Sequence, residues 1–98
     1  MSEKTEQINV VFEPELHRSA AYIDGNHVGE CEFCAENNVW SITHTGVDPA
    51  YGGRGIAKLL VLKVIEEARR QQVSIIPICS YAKRMMEGKE EYDDVLEK

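Results

Sequence analysis

No run of apolar residues in this chain is long enough to cross a bilayer as a helix, so a helical membrane span is excluded. The first residues, MSEKTEQINVVF, lack an apolar stretch behind a basic start, so no signal peptide is expected and the cytosol is the default location. Cysteine is scarce. Three thiols, Cys31, Cys34 and Cys79, do not make a disulfide framework, and in an intracellular chain they stay reduced, with one of them a candidate for reactivity. Positive charge is in short supply too: 11 Lys and Arg against 17 Asp and Glu leave a net charge of −6, which argues against a general nucleic-acid binder. Repeats, low-complexity tracts and interdomain linkers are missing, so the 98 residues are expected to form a single domain, residues 1–98, with 1–6 and 88–98 as flexible ends and a monomer as the expected state.

What is present is an ordinary globular composition, 43% hydrophobic and 29% charged, with an uneven charge distribution. Residues 50–86 hold seven basic side chains against Glu66 and Glu67 and sum to +5, while the rest of the chain sums to −11. A basic pole of this size suits a phosphorylated small molecule better than a polymer.

Residues 8–47 read as an antiparallel meander of INVVF, RSAAYI, HVGECEF and VWSITHTGV, with turns at Asp24-Gly25-Asn26 and in AENN. The pattern then changes. Ala57, Leu60, Val61, Val64, Ile65 and Ala68 recur with the spacing of one helix face, predicting a helix from about Gly53 to Gln72. Leu59 and Leu62 fall off that stripe, so they are either exposed or covered by another element, such as a short helix over SYAKRMME. VSIIPIC between the two helices is a buried-type strand, and a strand-helix-strand order predicts a parallel pair. Pro77 lacks a donor, so part of that strand lies at an edge or where strands separate. The predicted fold class is therefore α+β: a meander, a β-α-β unit with splayed strands, and a short terminal helix.

Between the last meander strand and the long helix lies VDPAYGGRGIAKLL. Glycines at a helix start let backbone N–H groups converge on an anion. No G-x-x-x-x-G-K-[ST] occurs, and a dinucleotide fingerprint would need a glycine at Lys58, so neither standard phosphate motif fits. A tight turn that merely needs small residues is the plain alternative.

The segment GVDPAYGGRGIAKLLV resembles the pyrophosphate-binding segment of the Gcn5-related N-acetyltransferase superfamily, [RQ]-x-x-G-x-[GA] after a strand ending in V-x-P. Val47, Pro49, Tyr51, Gly53, Gly55, Ile56, Ala57 and Leu60 all take their places in it, and Gly52 stands where Arg or Gln is usual. The chain has no room for the helices that family usually carries between its first strands. It resembles the minimal YjdJ-like branch, which has a cysteine after the motif helix, here PICSYAKRM. The resemblance implies acetyl-CoA as co-substrate, an amine as acceptor, and a cofactor-binding set of Val47, Gly52, Gly53, Arg54, Gly55, Ile56, Ala57 and Lys58. A pantetheine arm would enter between Ile42–Val47 and Ile75–Cys79. A non-catalytic coenzyme A-binding module is the rival reading.

Three side chains carry the candidate chemistry. His44, placed by strand alternation on the face of Trp40 and Ile42, is a candidate base or an idle histidine. Cys79 precedes a helix start, where a thiol is activated, and is a candidate acetyl acceptor or a small buried hydrophobe. Tyr81 is a candidate acid for the departing thiolate. Cys31 and Cys34, three apart on a strand, point to opposite faces and do not share a metal. The acidic end, EGKEEYDDVLEK, reads as a solvated tail with Tyr92, Val95 and Leu96 as potential anchors.

Overall fold

The computed structural model describes residues 7–97, so the flexible start expected over residues 1–6 lies outside the described residues. The alternating segments form four antiparallel strands in chain order: β1 (Ile8–Glu13), β2 (Arg18–Ile23), β3 (Asn26–Glu36) and β4 (Val39–Val47). Helix α1 (Ile56–Gln71) then carries the chain to β5 (Ser74–Pro77), which pairs parallel to β4, and α2 (Ser80–Met86) follows. The five strands make one sheet in the order β1-β2-β3-β4-β5, the α+β arrangement that the sequence predicts.

Turn chemistry sets the strand register. Asp24 and Gly25 have φ of 53° and 80°, and Asn37 and Asn38 have 53° and 64°. Two consecutive positive φ values define the hairpin turn whose twist matches that of the flanking strands.

α1 starts at Ile56 rather than near Gly53, because Gly53 and Gly55 are left-handed, with φ of 78° and 77°, and cannot belong to a right-handed helix. It ends when Gln72 turns left-handed. Its buried face is Ile56, Leu60, Val61, Val64, Ile65 and Ala68, packed on Ile42, Cys31, Phe33 and Ile75 of the sheet. Ser19 on β2 donates its buried hydroxyl to the Leu60 carbonyl at 2.8 Å, leaving no orphaned polar group beneath the helix. Leu62 packs against the core, but α2 does not cover Leu59, which stays 40% exposed.

Where β3, β4 and α1 meet, Gly29 has no room for a side chain. A Cβ there would lie 2.8 Å from the Gly46 carbonyl oxygen and 3.2 Å from Leu60 Cδ1. Gly29→Ala is expected to destabilise the domain by about 1–3 kcal/mol, because a backbone atom must move to admit the methyl group. Thermal denaturation reads this directly, and an unchanged melting temperature would mean the strands part easily there.

The acidic end is docked along the sheet. Tyr92 and Val95 are buried, the Ile75 N–H donates to the Val95 carbonyl at 2.6 Å, and the Glu97 N–H donates to the Ile75 carbonyl at 2.9 Å. Arg69 of α1 holds it with a two-pronged contact to Asp94 (2.8 and 3.0 Å) and a bond to the Glu91 carbonyl. The segment expected to be solvated therefore covers the outer edge of β5, the edge that an unpaired strand would otherwise expose.

Candidate functional site

The loop between β4 and α1 is built from its own backbone. Asp48 donates its N–H to the Val28 carbonyl and accepts the Ala50 N–H on its carboxylate at 2.9 Å. Pro49–Tyr51 form a short 3₁₀ turn that consumes the N–H groups of Tyr51 and Gly52. Among the described residues, the N–H groups of Gly53, Gly55, Ile56, Ala57 and Lys58 have no protein acceptor. The left-handed Gly53 and Gly55 keep open space where a Cβ would project. Free donors, a helix N-terminus and open space at the two glycines form a cradle for an anion.

Cations flank it. Arg54 folds over the Tyr51 ring, with its guanidinium carbon 5.1 Å from the centroid. Lys58 opens into a groove of about 440 Å³ that also holds Arg84 and Lys89 and the rings of Tyr81 and Tyr92.

β4 and β5 separate beside this loop. They pair from Val39 with Ser74 to Ile42 with Pro77. The N–H groups of Ile78 and Cys79 then both turn to the Ile42 carbonyl, at 3.0 and 2.8 Å, which ends β5 short of Cys79. Pro77 has no N–H, so it sits without penalty where the ladder ends. The side of β4 facing β5 is open from Thr43 to Val47, a wedge leading from the loop toward Cys79.

Cys79 lies half-buried at the N-cap of α2, and its Sγ is 3.5 Å from Thr45 Oγ1 across the wedge. Burial opposes ionisation, but the neighbouring Thr45 hydroxyl and the nearby N–H groups of Ala82, Tyr81 and Thr45 outweigh it and hold the thiol below its ordinary range. Cys31, beneath Thr45 on β3, has the opposite setting: burial pushes its thiol up to about 12. Cys34, three residues on, is exposed.

His44 is not on the face of Trp40 and Ile42. Ile42 pairs with Phe33 and His44 with Glu32, so Thr43 is one residue too many, a β-bulge that reverses the alternation beyond it. Thr45 consequently faces the core beside Cys31, while His44 is half-exposed on the other side of the sheet. There its Nε2 meets Glu30 Oε2 at 2.8 Å, and His27 meets the other oxygen of Glu30 at 3.3 Å. The three line a shallow groove of about 450 Å³ that runs to Val47 and Asp48. A Cβ on Gly46 would meet the His44 ring at 2.9 Å, so glycine there lets the imidazole lie flat toward Glu30.

Cys79 and His44 thus flank the same strand from opposite sides. The Tyr81 side chain lines the Lys58 groove. Thr45 and Glu30 escaped the sequence reading because their roles depend on the bulge.

The family model described as GCN5-related N-acetyl-transferase matches residues 18–95. The solution structure of a GCN5-like protein from Staphylococcus aureus is 33% identical over 93% of this chain and 87% of that one, with a TM-score of 0.68. Two further structures share the fold at lower identity. A paiA N-acetyltransferase from Thermoplasma acidophilum in complex with coenzyme A is 20% identical over 57% of this chain and 35% of that chain, TM-score 0.54. An N-acetylglutamate synthase from Neisseria gonorrhoeae, complexed with coenzyme A and N-acetyl-glutamate, is 18% identical over 67% of this chain and 18% of that one, TM-score 0.56. Among curated proteins none matches. With the family model spanning most of the chain and its glycine loop sited at the mouth of the splayed strands, this chain belongs to the GCN5-related N-acetyltransferase family.

Proposed function

We propose that the domain binds acetyl-CoA and passes its acetyl group to an amine by way of Cys79. The observation that carries this reading is the thiol itself, set at the open wedge on the N-cap of α2 with its Sγ 3.5 Å from the Thr45 hydroxyl oxygen. The free N–H groups of Gly53, Gly55, Ile56, Ala57 and Lys58 bind the pyrophosphate, with Arg54 and Lys58 as the nearby cations. Coenzyme A in the solved structures of two fold relatives supports that choice of ligand. The compact build and the position of the cysteine support a place in the minimal YjdJ-like branch.

The chemistry has two steps. The Cys79 thiolate adds to the thioester carbonyl, a new C–S bond forms, and the bond to coenzyme A breaks, releasing coenzyme A thiolate that takes a proton from solvent. An amine then attacks the acetyl-cysteine, a C–N bond forms as the C–S bond breaks, the amine's proton passes to solvent, and the Cys79 thiolate returns.

The test is release of free coenzyme A from acetyl-CoA with and without a panel of amines, beside thermal melts. Coenzyme A is expected to raise the melting temperature by binding the folded state, and amines to accelerate thiol release. No shift at millimolar coenzyme A would overturn the ligand assignment. A shift with no turnover on any amine would leave the non-catalytic module.

Gly52 offers a second check. Its φ is −68°, open to any residue, and a Cβ would meet only the Pro49 carbonyl oxygen at an ordinary 3.4 Å. Gly52→Arg restores the side chain usual at that place in the motif. It is expected to leave stability unchanged or raise it by about 0.4–1 kcal/mol and to tighten coenzyme A binding in calorimetric titration. Weaker binding in that variant would mean the loop lies differently against the phosphates.

A further inference from the structure

The Thr45 hydroxyl lies between two sulfurs. It is 3.6 Å from Cys31 Sγ and 3.5 Å from Cys79 Sγ, and it has one hydrogen to give. While Cys79 is a thiol, the donor chain runs one way: Cys79 S–H to Thr45 Oγ1, and Thr45 O–H to Cys31 Sγ. When Cys79 loses its proton, the resulting anion has no hydrogen to donate and needs one.

We infer that Thr45 is a positioning residue for Cys79, turning its hydroxyl hydrogen from Cys31 to the Cys79 sulfur when that sulfur becomes an anion. The inference rests on the reading that the Cys79 thiolate is the working form. Cys31 is the resting acceptor, and it suits the task because it is fully buried and stays protonated, so it never competes as an anion. The proton lost by Cys79 goes to solvent, which reaches this half-buried group.

The surroundings leave Thr45 as the adjustable member. From β3 the titratable group on this side is Cys31. From α2 come the fixed N–H groups of Tyr81 and Ala82, while the side chains of Tyr81 and Lys83 line grooves elsewhere. Glu30, Glu32 and His44 project from the opposite face of β3 and β4. The fixed N–H groups favour the anion from the start. The hydroxyl joins them only after it rotates, so it adds to the charged form alone.

The experiment is the pH dependence of Cys79 alkylation by iodoacetamide, followed by peptide mass spectrometry, with exposed Cys34 as the internal reference. Thr45→Val keeps the shape and removes the hydroxyl, and it is expected to move the Cys79 midpoint up by about one pH unit. Thr45→Ser restores the hydroxyl and the wild-type midpoint. Cys31→Ala removes the competing acceptor and leaves the midpoint at or below the wild-type value. A wild-type midpoint in Thr45→Val, failure of serine to restore it, or a raised midpoint in Cys31→Ala would each overturn the inference. If Thr45→Val does not fold, Thr45→Ala takes its place, with the same raised midpoint expected and a wild-type midpoint again overturning the inference. No acetyl-CoA enters the assay, so the inference can fail while acetyl transfer stands. Acetylation of Cys79 measured on the same proteins tests the other reading separately.

Discussion

Gly55→Val is expected to abolish measurable coenzyme A binding, whereas Gly25→Val, equally strained, leaves it intact. Both glycines have strongly positive φ, 77° and 80°, and at both a Cβ would enter open space. A β-branched residue at such an angle is strained by about 1–3 kcal/mol wherever it occurs. The two variants should therefore melt lower than wild type by similar amounts. They differ in what the side chain meets. At Gly25 it projects from the β2–β3 hairpin tip, while at Gly55 it enters the open space of the segment whose N–H groups at Gly53, Gly55, Ile56, Ala57 and Lys58 are unpaired. Calorimetric titration under conditions where both variants are folded separates strain from blockade. Equal loss of affinity in the two would trace the effect to stability, and unchanged affinity in Gly55→Val would return the glycine loop to turn chemistry alone.

The sequence was most readable where apolar and polar residues contrast. The four meander strands, the buried stripe of α1 and the parallel β5 follow from periodicity, and the positive-φ turns follow from Asp24-Gly25 and Asn37-Asn38. The glycine loop was legible for a different reason. Its residues have a backbone role that few others can fill, and Gly53 and Gly55 show it in their φ values.

The bulge at Thr43 left no such trace. Thr43, His44, Thr45 and Gly46 are all polar or small, so alternation carries no phase there, and one inserted residue exchanges the faces of His44 and Thr45 unseen. The same silence hid the pairing of His44 with Glu30 and the contact of Thr45 with Cys79. At the acidic end, three apolar residues among many charges decided the outcome. Tyr92, Val95 and Leu96 had a sheet edge to cover and an arginine, Arg69, to hold the carboxylates beside them.

The separation of His44 from Cys79 gives the second large effect its form. Cys79→Ala is expected to remove the acetyl-enzyme and, with it, acetyl transfer to amines. His44→Ala is expected to retain the acetyl-enzyme and to discharge it at close to the wild-type rate, because the imidazole lies on the other face of β4 from Cys79. The reasoning is geometric. The donors that favour the Cys79 anion come from Thr45, Tyr81 and Ala82, and none comes from His44, whose imidazole turns to Glu30 on the far side of β4. Formation of acetyl-Cys79 therefore does not need the histidine. Intact-mass and peptide mass spectrometry after brief exposure to acetyl-CoA should find one acetyl group on Cys79 in wild type and in His44→Ala, and none there in Cys79→Ala. Cys31, with its thiol held near 12, stays unmodified at neutral pH. Addition of an amine should then clear the label at similar rates in wild type and His44→Ala, and much slower clearance in His44→Ala would mean the imidazole reaches the acetyl group. If Cys79→Ala acetylates an amine at the wild-type rate, the thiol is a packing group. The amine would then attack the thioester directly, and the dyad of His44 with Glu30 would be the place to look for its base.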